Sequence, residues 1–445
     1  SDCLVGSEMC IRDSYNLEQY PDTYLFFGPM FSDIYAGQDP DNPYKDDKPK
    51  YERDYDINKY IIVNDWERGK INSNKSHEGF FPRMWSSDNA VNYLNYYGFL
   101  DFEIKSEYKD ENQIIELVDS FKSRIEDDDI DAEDYHEFLS NFGSYLDIEK
   151  PSLLSNISYF INFQLSKMYF RYFMWNFSGR QNDKQWKYDL ENGNWISGIN
   201  LIDEYRLGPQ KNLPADVINN KARNQYYLIP FILGIIGLIF IFKKNLRIFW
   251  PIFLLFIFTG IALKFYLNER VFEPRERDYA LVGSFYTYCI FIGFSFIAIS
   301  EYFLKYLKNN FSFLLAIVIT VTSPMLLSFN NWDDHDRSNR YTAQTLAKAY
   351  LDSIDEDKQA MIFTIGDNDT FALWYAQEIE NHRTDVRTIN TSLLATDWYM
   401  DQMKRKAYKS DPILSNLTHK QYAYGNRDYI KSVSYTHLRA HETIA

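Results

Sequence analysis

"YYLIPFILGIIGLIFIFKKNLRIFWPIFLLFIFTGIALKFYL", residues 226–267, decides the fold. Its only charges are Lys243, Lys244, Arg247 and Lys264, and three of those sit together in the middle. The cluster divides the run into two apolar stretches, 226–242 and 248–267. Two more follow, 279–300 and 311–329, and neither contains a charge. At about 1.5 Å per residue each of the four approaches the roughly 30 Å hydrocarbon core of a bilayer, allowing for tilt and snorkelling. Packing all four as buried helices of a soluble protein is the weaker reading for about a hundred residues. The sequence therefore predicts an integral membrane α-helical protein with four spans.

Orientation follows from the short loops. Lys243, Lys244 and Arg247 lie between the first two spans, and Lys305 and Lys308 between the last two, so both loops are expected in the cytoplasm. The loop 268–278 and the flanking soluble regions are then extracytoplasmic. That loop is dense in charge, reading "ERVFEPRERD" over 269–278.

The chain ends read differently. "LVGSEMCIRD" (4–13) and "VSYTHLRAHE" (433–442) can be encoded by opposite strands of one DNA sequence, an inverted repeat with no folding rationale. Residues 1–14 and 432–445 are therefore expected to be adapter-derived, and the rest a fragment open at both ends. Only Cys289 lies in the remainder, which excludes a disulfide framework or a metal-thiolate cluster. The net charge of −15 becomes −13 when the ends, which carry −2, are set aside. No basic run suggests a nucleic acid partner.

Three soluble regions remain. Residues 15–150 are rich in Tyr, Asp, Asn and Pro, with strand-like runs such as "KYIIVND" (59–65), and read as loop-rich. Asp127, Asp129 and Asp131 have the spacing of calcium-loop ligands, but Ala132 replaces the turn glycine and Phe138 the closing glutamate, so a solvated acidic face is preferred. Residues 151–225 begin with Leu153, Ile157, Phe160, Ile161, Met168 and Tyr172 at helical spacing, with Asn156, Gln164 and Lys167 on other sides. That pattern fits an amphipathic helix at the membrane surface or a soluble helix with an aromatic core face, and the surface reading is preferred because Trp and Tyr favour headgroup depth.

Residues 331–431 alternate helix and strand, which predicts the start of an α/β domain with parallel strands. Ligands gather at the carboxyl ends of such strands, and "GDNDT" (366–370) falls there. Asp367, Asn368 and Asp369 are thus candidates for a ligand surface, as are Asp334 and His335 just beyond the last span. Asp367 and Asp369 make a DxD pair that could hold a divalent metal; turn chemistry with Asp369 or Thr370 as helix cap is preferred. His335 reads as part of a helix start beside the membrane rather than a metal ligand.

Several longer motifs carry a resemblance: "YFRYFMWNFSGRQND" (169–183), "GNWISGI" (193–199), "EPRERDYALVGSFY" (273–286), "NWDDHDRSNRYTA" (331–343), "GDNDTFALWYAQE" (366–378) and "TDWYMDQMKRKAY" (396–408). In order and over most of the chain, they resemble the DUF2723 family of Bacteroidota membrane proteins, which is similar to the protein O-mannosyltransferases of the GT-C type. The resemblance implies a multi-pass protein of the bacterial inner membrane with large periplasmic regions. It implies transfer of a mannose-like sugar from a polyprenyl-phosphate carrier to a hydroxyl, such as Ser or Thr of an exported protein. The catalytic carboxylate is then expected before Tyr15. No other cofactor is implied, and membrane lipid, lipid-linked sugar and protein acceptor are the expected partners.

Such a donor needs its phosphate held. Arg275 and Arg277 lie within a few residues of a span, at the depth of a lipid phosphate, and arginine presents a planar fork to phosphate oxygens. The alternative is that Arg270, Glu273, Arg275, Glu276, Arg277 and Asp278 pair among themselves and solvate the loop. Arg180 is a second candidate. A reading from another class is a non-catalytic envelope component whose outer domains bind protein or glycan. A transporter fits less well, since the spans hold almost no charge.

Overall fold

A computed structural model describes residues 24–36, 44–46, 50–54, 57, 59–64, 69–71, 74–85, 90–186, 188–272, 278–355 and 359–422. The terminal segments 1–14 and 432–445, and the arginines Arg275 and Arg277, lie outside the described residues. The described chain divides into two compact units, one built from residues within 44–71 and 337–422, the other from residues within 24–36 and 72–336.

The larger unit begins with a helical, aromatic subregion rather than the loop-rich one expected. Helices Ala90–Tyr97, Asn112–Glu126 and Ala132–Phe142 pack with the strand pair Phe102–Ile104 and Leu146–Ile148. Tyrosine supplies much of the core: Tyr93 and Tyr135 are fully buried, and their hydroxyls donate to the carbonyls of Trp85 and Leu100. A tyrosine with its hydroxyl satisfied behaves as a large apolar side chain, so a Tyr-rich, acidic segment holds more core than its polarity suggests. Asp131 caps the helix Ala132–Phe142, accepting from the amides of Glu133 and Asp134 at 2.9 and 2.8 Å, and Phe138 lies in the core. The calcium-like spacing is thus helix-cap chemistry.

His77 is buried in the same unit, its Nδ1 2.9 Å from Ser32 Oγ. Burial lowers its pKa from 6.5 to about 4, helped by Lys150 and Lys105 and opposed by Asp147. A depressed pKa means that the unfolded chain takes up the proton first, so the contribution is complete above pH 6.5 and lost as pH falls toward 4. The expected loss is roughly 3 kcal/mol. A His77→Gln variant should show a shallower fall in unfolding free energy between pH 7 and 4, measured by denaturant titration. Equal slopes would remove His77 as the cause.

A long helix follows over 153–177 and departs from the expected phase. Its ends, Leu153–Tyr159 and Arg171–Phe177, are α-helical, but Phe160–Phe170 between them is π-helical. A π-helix bonds i to i+5 and widens the turn, so a period of 3.6 does not carry through it. Asn156 and Gln164, expected off the apolar face, are completely buried, while Leu153 and Ile161 are about half exposed at 46% and 52%. Tyr169, Tyr172, Phe173 and Phe177 pack inward against the apolar helices, so the aromatic face is core and not a free amphipathic surface.

Among the described residues three helices are long and apolar enough to cross a membrane: Leu246–Leu267, Tyr279–Leu304 and Asn309–Asp333. The first of the four expected spans forms a shorter helix, Ile229–Lys244, of 16 residues. At 1.5 Å per residue it reaches about 24 Å, short of the ~30 Å core. Tyr227 and Leu228 take left-handed backbone at φ 52° and 59°, and Pro230 sets the first turn. Gly234 and Gly237 bring this helix against Val282–Leu304: a Cβ on Gly237 would stand 1.7 Å from the carbonyl oxygen of Phe291. Small residues permit such close backbone approach. The last helix runs unbroken to His335, so His335, expected at a helix start, lies at a helix end, its Nδ1 2.8 Å from the carbonyl of Asn331.

The second unit holds the α/β element as expected. Met361–Thr364 and Arg387–Asn390 pair in parallel, joined by the helix Asp367–Glu378, with Thr342–Asp352 packed beside it. After the second strand comes the short helix Asp397–Met403, and the buried Arg387 guanidinium takes the carbonyls of Gln402 and Met403 at its end. The unit also contains the hairpin Lys50–Asp54 with Lys59–Asn64, where a strand was expected.

Candidate functional site

The charged loop after the second span is anchored by a buried polar knot. Asn268 turns the chain at φ 47°, and Glu269 behind it is 1% exposed. Lys264 Nζ meets both Glu269 carboxylate oxygens at 2.7 and 2.6 Å, so the one charge inside an expected span is half of a buried ion pair. The Glu269 carbonyl accepts from Tyr159 Oη and Gln164 Nε2, both at 2.9 Å. Gln164 also donates to Asn268 Oδ1. Close by, Arg83 donates to the carbonyls of Phe265 and Leu25 and lies 4.5 Å from the rings of Phe81 and Phe265. The buried Tyr159 hydroxyl and Gln164 amide nitrogen therefore find partners at the loop root.

From the root, the described chain runs into a cluster of cations on aromatic rings. Phe272 packs on Tyr188 at 4.5 Å between centroids, and Tyr188 on Trp186 at 4.1 Å. Lys167 Nζ lies 4.6 Å over Trp186. Arg171 sits among Tyr172, Trp175 and Trp186, and Arg180 lies 4.5 Å over Trp175. Arg206 stacks on Trp195 at 3.4 Å. Ring faces attract cations, which lets several be held near one another. Burial, then the charges of Arg171 and Arg206, pulls Lys167 below its ordinary pKa; burial lowers Arg206 to about 10. Cations that destabilise one another's charge favour an anion between them.

The scaffold under the cluster is made by two of the sequence motifs. Gly179–Arg180 pairs with Asn224–Gln225, and Arg180 also bridges to Trp195. Gly179, at φ 146°, has no room for a side chain, since a Cβ would lie 2.4 Å from the Asn224 carbonyl oxygen. Gln181 and Asn182 are buried and hold the segment 190–194: Gln181 Oε1 accepts from Asn194 N at 3.0 Å, and Asn182 Oδ1 from Gly193 N at 2.9 Å. "GRQND" and "GNW" are thus two sides of one closed loop. Arg180 Nε donates to the Asn182 carbonyl at 2.9 Å, and among the described residues nothing bonds its two terminal nitrogens. These are the forked donors that suit a phosphate.

Of the predicted site residues, Arg180 is therefore in the cluster, while Arg275 and Arg277 lie between Phe272, which touches it, and Asp278. Lys167, Arg171 and Arg206 were missed. The signal was present in charge bookkeeping: residues 163–225 carry nine Lys and Arg against six Asp and Glu, a local +3 in a chain of net −15. "SKMYFRYFMWNFSGRQNDKQW" (166–186) also interleaves Lys167 and Arg171 with aromatics.

The other candidates lie apart from this cluster in the chain. Gly366, at φ 77°, turns the chain into the helix Asp367–Glu378, with no side-chain cap bond. Thr370, expected as a cap, points inward instead, bonding Thr364 Oγ1 and the Gly366 carbonyl, each at 2.6 Å. Asn390 closes the same network. Asp367, Asn368 and Asp369 stand exposed in the first turn, where the acids complement the helix dipole. Among the described residues no group of three or more His, Cys, Asp or Glu is gathered. His335 is exposed, and the Asp334 side chain is outside the described set.

Two family profiles match parts of the chain: TMEM260-associated domain 2 over residues 343–444, and DUF8416, a family of unknown function, over 21–161. Neither is DUF2723, and neither covers the apolar helices or the cation cluster. No curated protein matches the chain. No solved structure matches it either.

Proposed function

We propose that this chain is the donor-binding part of a membrane glycosyltransferase that moves a sugar from a polyprenyl-phosphate carrier to a hydroxyl of an exported protein. The observation that carries the reading is the cluster of Lys167, Arg171, Arg180 and Arg206 on Trp175, Trp186 and Trp195, joined through Tyr188 to the root of the loop bearing Arg275 and Arg277. A lipid-linked sugar offers a phosphate for the guanidinium forks and a ring whose C–H face packs on tryptophan. Preorganised cations also stabilise the charge on a departing phosphate. The apolar helices beside the cluster suit the carrier's hydrocarbon chain. In this reading the site faces the periplasm from a bacterial inner membrane.

Membranes containing the full-length protein should transfer labelled sugar from polyprenyl phosphate to Ser or Thr of an exported acceptor. Absence of transfer with every polyprenyl-phosphate sugar offered would end the enzymatic reading. One observation favours the second reading, a partner-binding envelope component: Met361 and Phe363, on one side of the strand Met361–Thr364, and Ile365 just past its end are all more than half exposed.

A further inference from the structure

The helix Asn309–His335 carries a second feature, at the end of its apolar run. A cleft of about 650 Å³ is lined by Lys221 and Asn224 on one side and by Ser328, Phe329, Asn330, Trp332 and Asp333 on the other. Its size falls within the roughly 300–1,000 Å³ usual for small-molecule sites. Its wall changes character along the helix. Phe329, 77% exposed, ends the apolar stretch, and Trp332, 74% exposed, stands one turn further among Asn330, Asn331 and Asp333. An exposed tryptophan at the end of an apolar helix marks headgroup depth in a bilayer.

The cleft's walls are fixed. Asn331 Oδ1 accepts from Asn224 Nδ2 at 3.0 Å and from Tyr226 Oη at 2.7 Å, which ties the helix end to the segment bearing Lys221. The cleft carries two opposite charges, Lys221 and Asp333, and among the described residues neither forms an ion pair. The site thus offers an apolar wall, an amphipathic ring, one cation and one carboxylate.

We propose that this cleft binds a glycerophospholipid with a phosphoethanolamine headgroup, its phosphate on Lys221, its ammonium on Asp333 and Trp332, and its acyl chain along Phe329. Charge complementarity selects this occupant. Lys221 alone would accept any lipid phosphate. Asp333 adds attraction for an ammonium and repels a headgroup with no positive charge. A primary ammonium donates hydrogen bonds to the carboxylate, which a quaternary one cannot, and either can lie over the indole. The cleft adjoins the strand pair that carries Arg180, through Asn224, but its lining residues are none of the four cations, and the proposal does not depend on the donor-binding reading.

The test is lipid retention by the full-length protein, delipidated and offered phosphatidylethanolamine, phosphatidylglycerol and phosphatidylcholine singly, with bound lipid counted by native mass spectrometry. Phosphatidylethanolamine should be held at least about 5-fold better than phosphatidylglycerol, the scale of one salt-bridge contact of ~1 kcal/mol. Lys221→Gln should weaken retention of all three lipids, whereas Asp333→Asn should abolish the preference between the first two. Both side chains are at the surface, and unchanged far-ultraviolet circular dichroism would certify the variants as folded. Equal retention of the three lipids, or a preference that survives Asp333→Asn, would overturn the proposal. So would displacement of the bound phospholipid by an equimolar polyprenyl phosphate, which would hand the cleft to the carrier.

Discussion

Lys264→Met is expected to destabilise the protein by about 3–5 kcal/mol, the largest single effect of any substitution considered, because it strands the Glu269 carboxylate in the interior. Both partners are almost wholly buried, 1% and 2% exposed in their side chains, and Nζ bonds both carboxylate oxygens. Burying an ion pair gives little net stability, since desolvation offsets the attraction; removing one member leaves the other with no compensation. The double variant Lys264→Met with Glu269→Gln should therefore recover most of the loss. Denaturant unfolding in lipid nanodiscs measures both. Additive losses in the double variant would mean that the two charges do not depend on each other. The result bears on the loop as well, because Glu269 immediately precedes Arg270 and its carbonyl holds Tyr159 and Gln164.

Gly237→Ala is expected to cost about 3 kcal/mol or more, at the upper end of overpacking effects. The added Cβ would meet the Phe291 carbonyl at 1.7 Å and the Ser295 amide nitrogen at 2.9 Å, and backbone atoms cannot rotate away. Gly293→Ala, in the facing helix, is the control: nothing lies within 4 Å of its new Cβ. That change should be neutral or stabilise by up to about 1 kcal/mol, the helix-propensity difference. Thermal unfolding of the two variants should separate widely; similar melting points would show that these helices do not meet at Gly237.

The apolar helices and the α/β element were legible because their signals are local. An uncharged run longer than 20 residues, or a strand ending in Gly366 and followed by an acidic first turn, needs no distant partner to be read. The aromatic subregion was not legible, since Tyr93 and Tyr135 count as half-polar until their hydroxyls are seen to bond the carbonyls of Trp85 and Leu100. Nor was the helix with its π-helical middle, where Asn156 before that stretch and Gln164 within it turn inward because Arg83, Met84, Asn268 and Glu269 supply partners up to 105 residues away. Arg180 could be singled out from its motif. Lys167, Arg171 and Arg206 are marked in the sequence only as part of a locally basic region, because what joins them is Trp175, Trp186 and Trp195, brought together by the fold.

If the cation cluster holds the phosphate of a lipid-linked sugar, donor affinity depends on its arginines. Full-length protein in nanodiscs should bind a polyprenyl-phosphate sugar, and Arg180→Gln should weaken that binding roughly 10- to 100-fold, the equivalent of ~1.5–3 kcal/mol for a charge-assisted contact. Arg124→Gln, on the exposed helix Asn112–Glu126 whose Arg124 pairs only with Asp129 at the surface, should leave it unchanged. Affinity for the donor that is the same in the parent, in Arg180→Gln and in the Arg275→Gln, Arg277→Gln double variant would contradict the account.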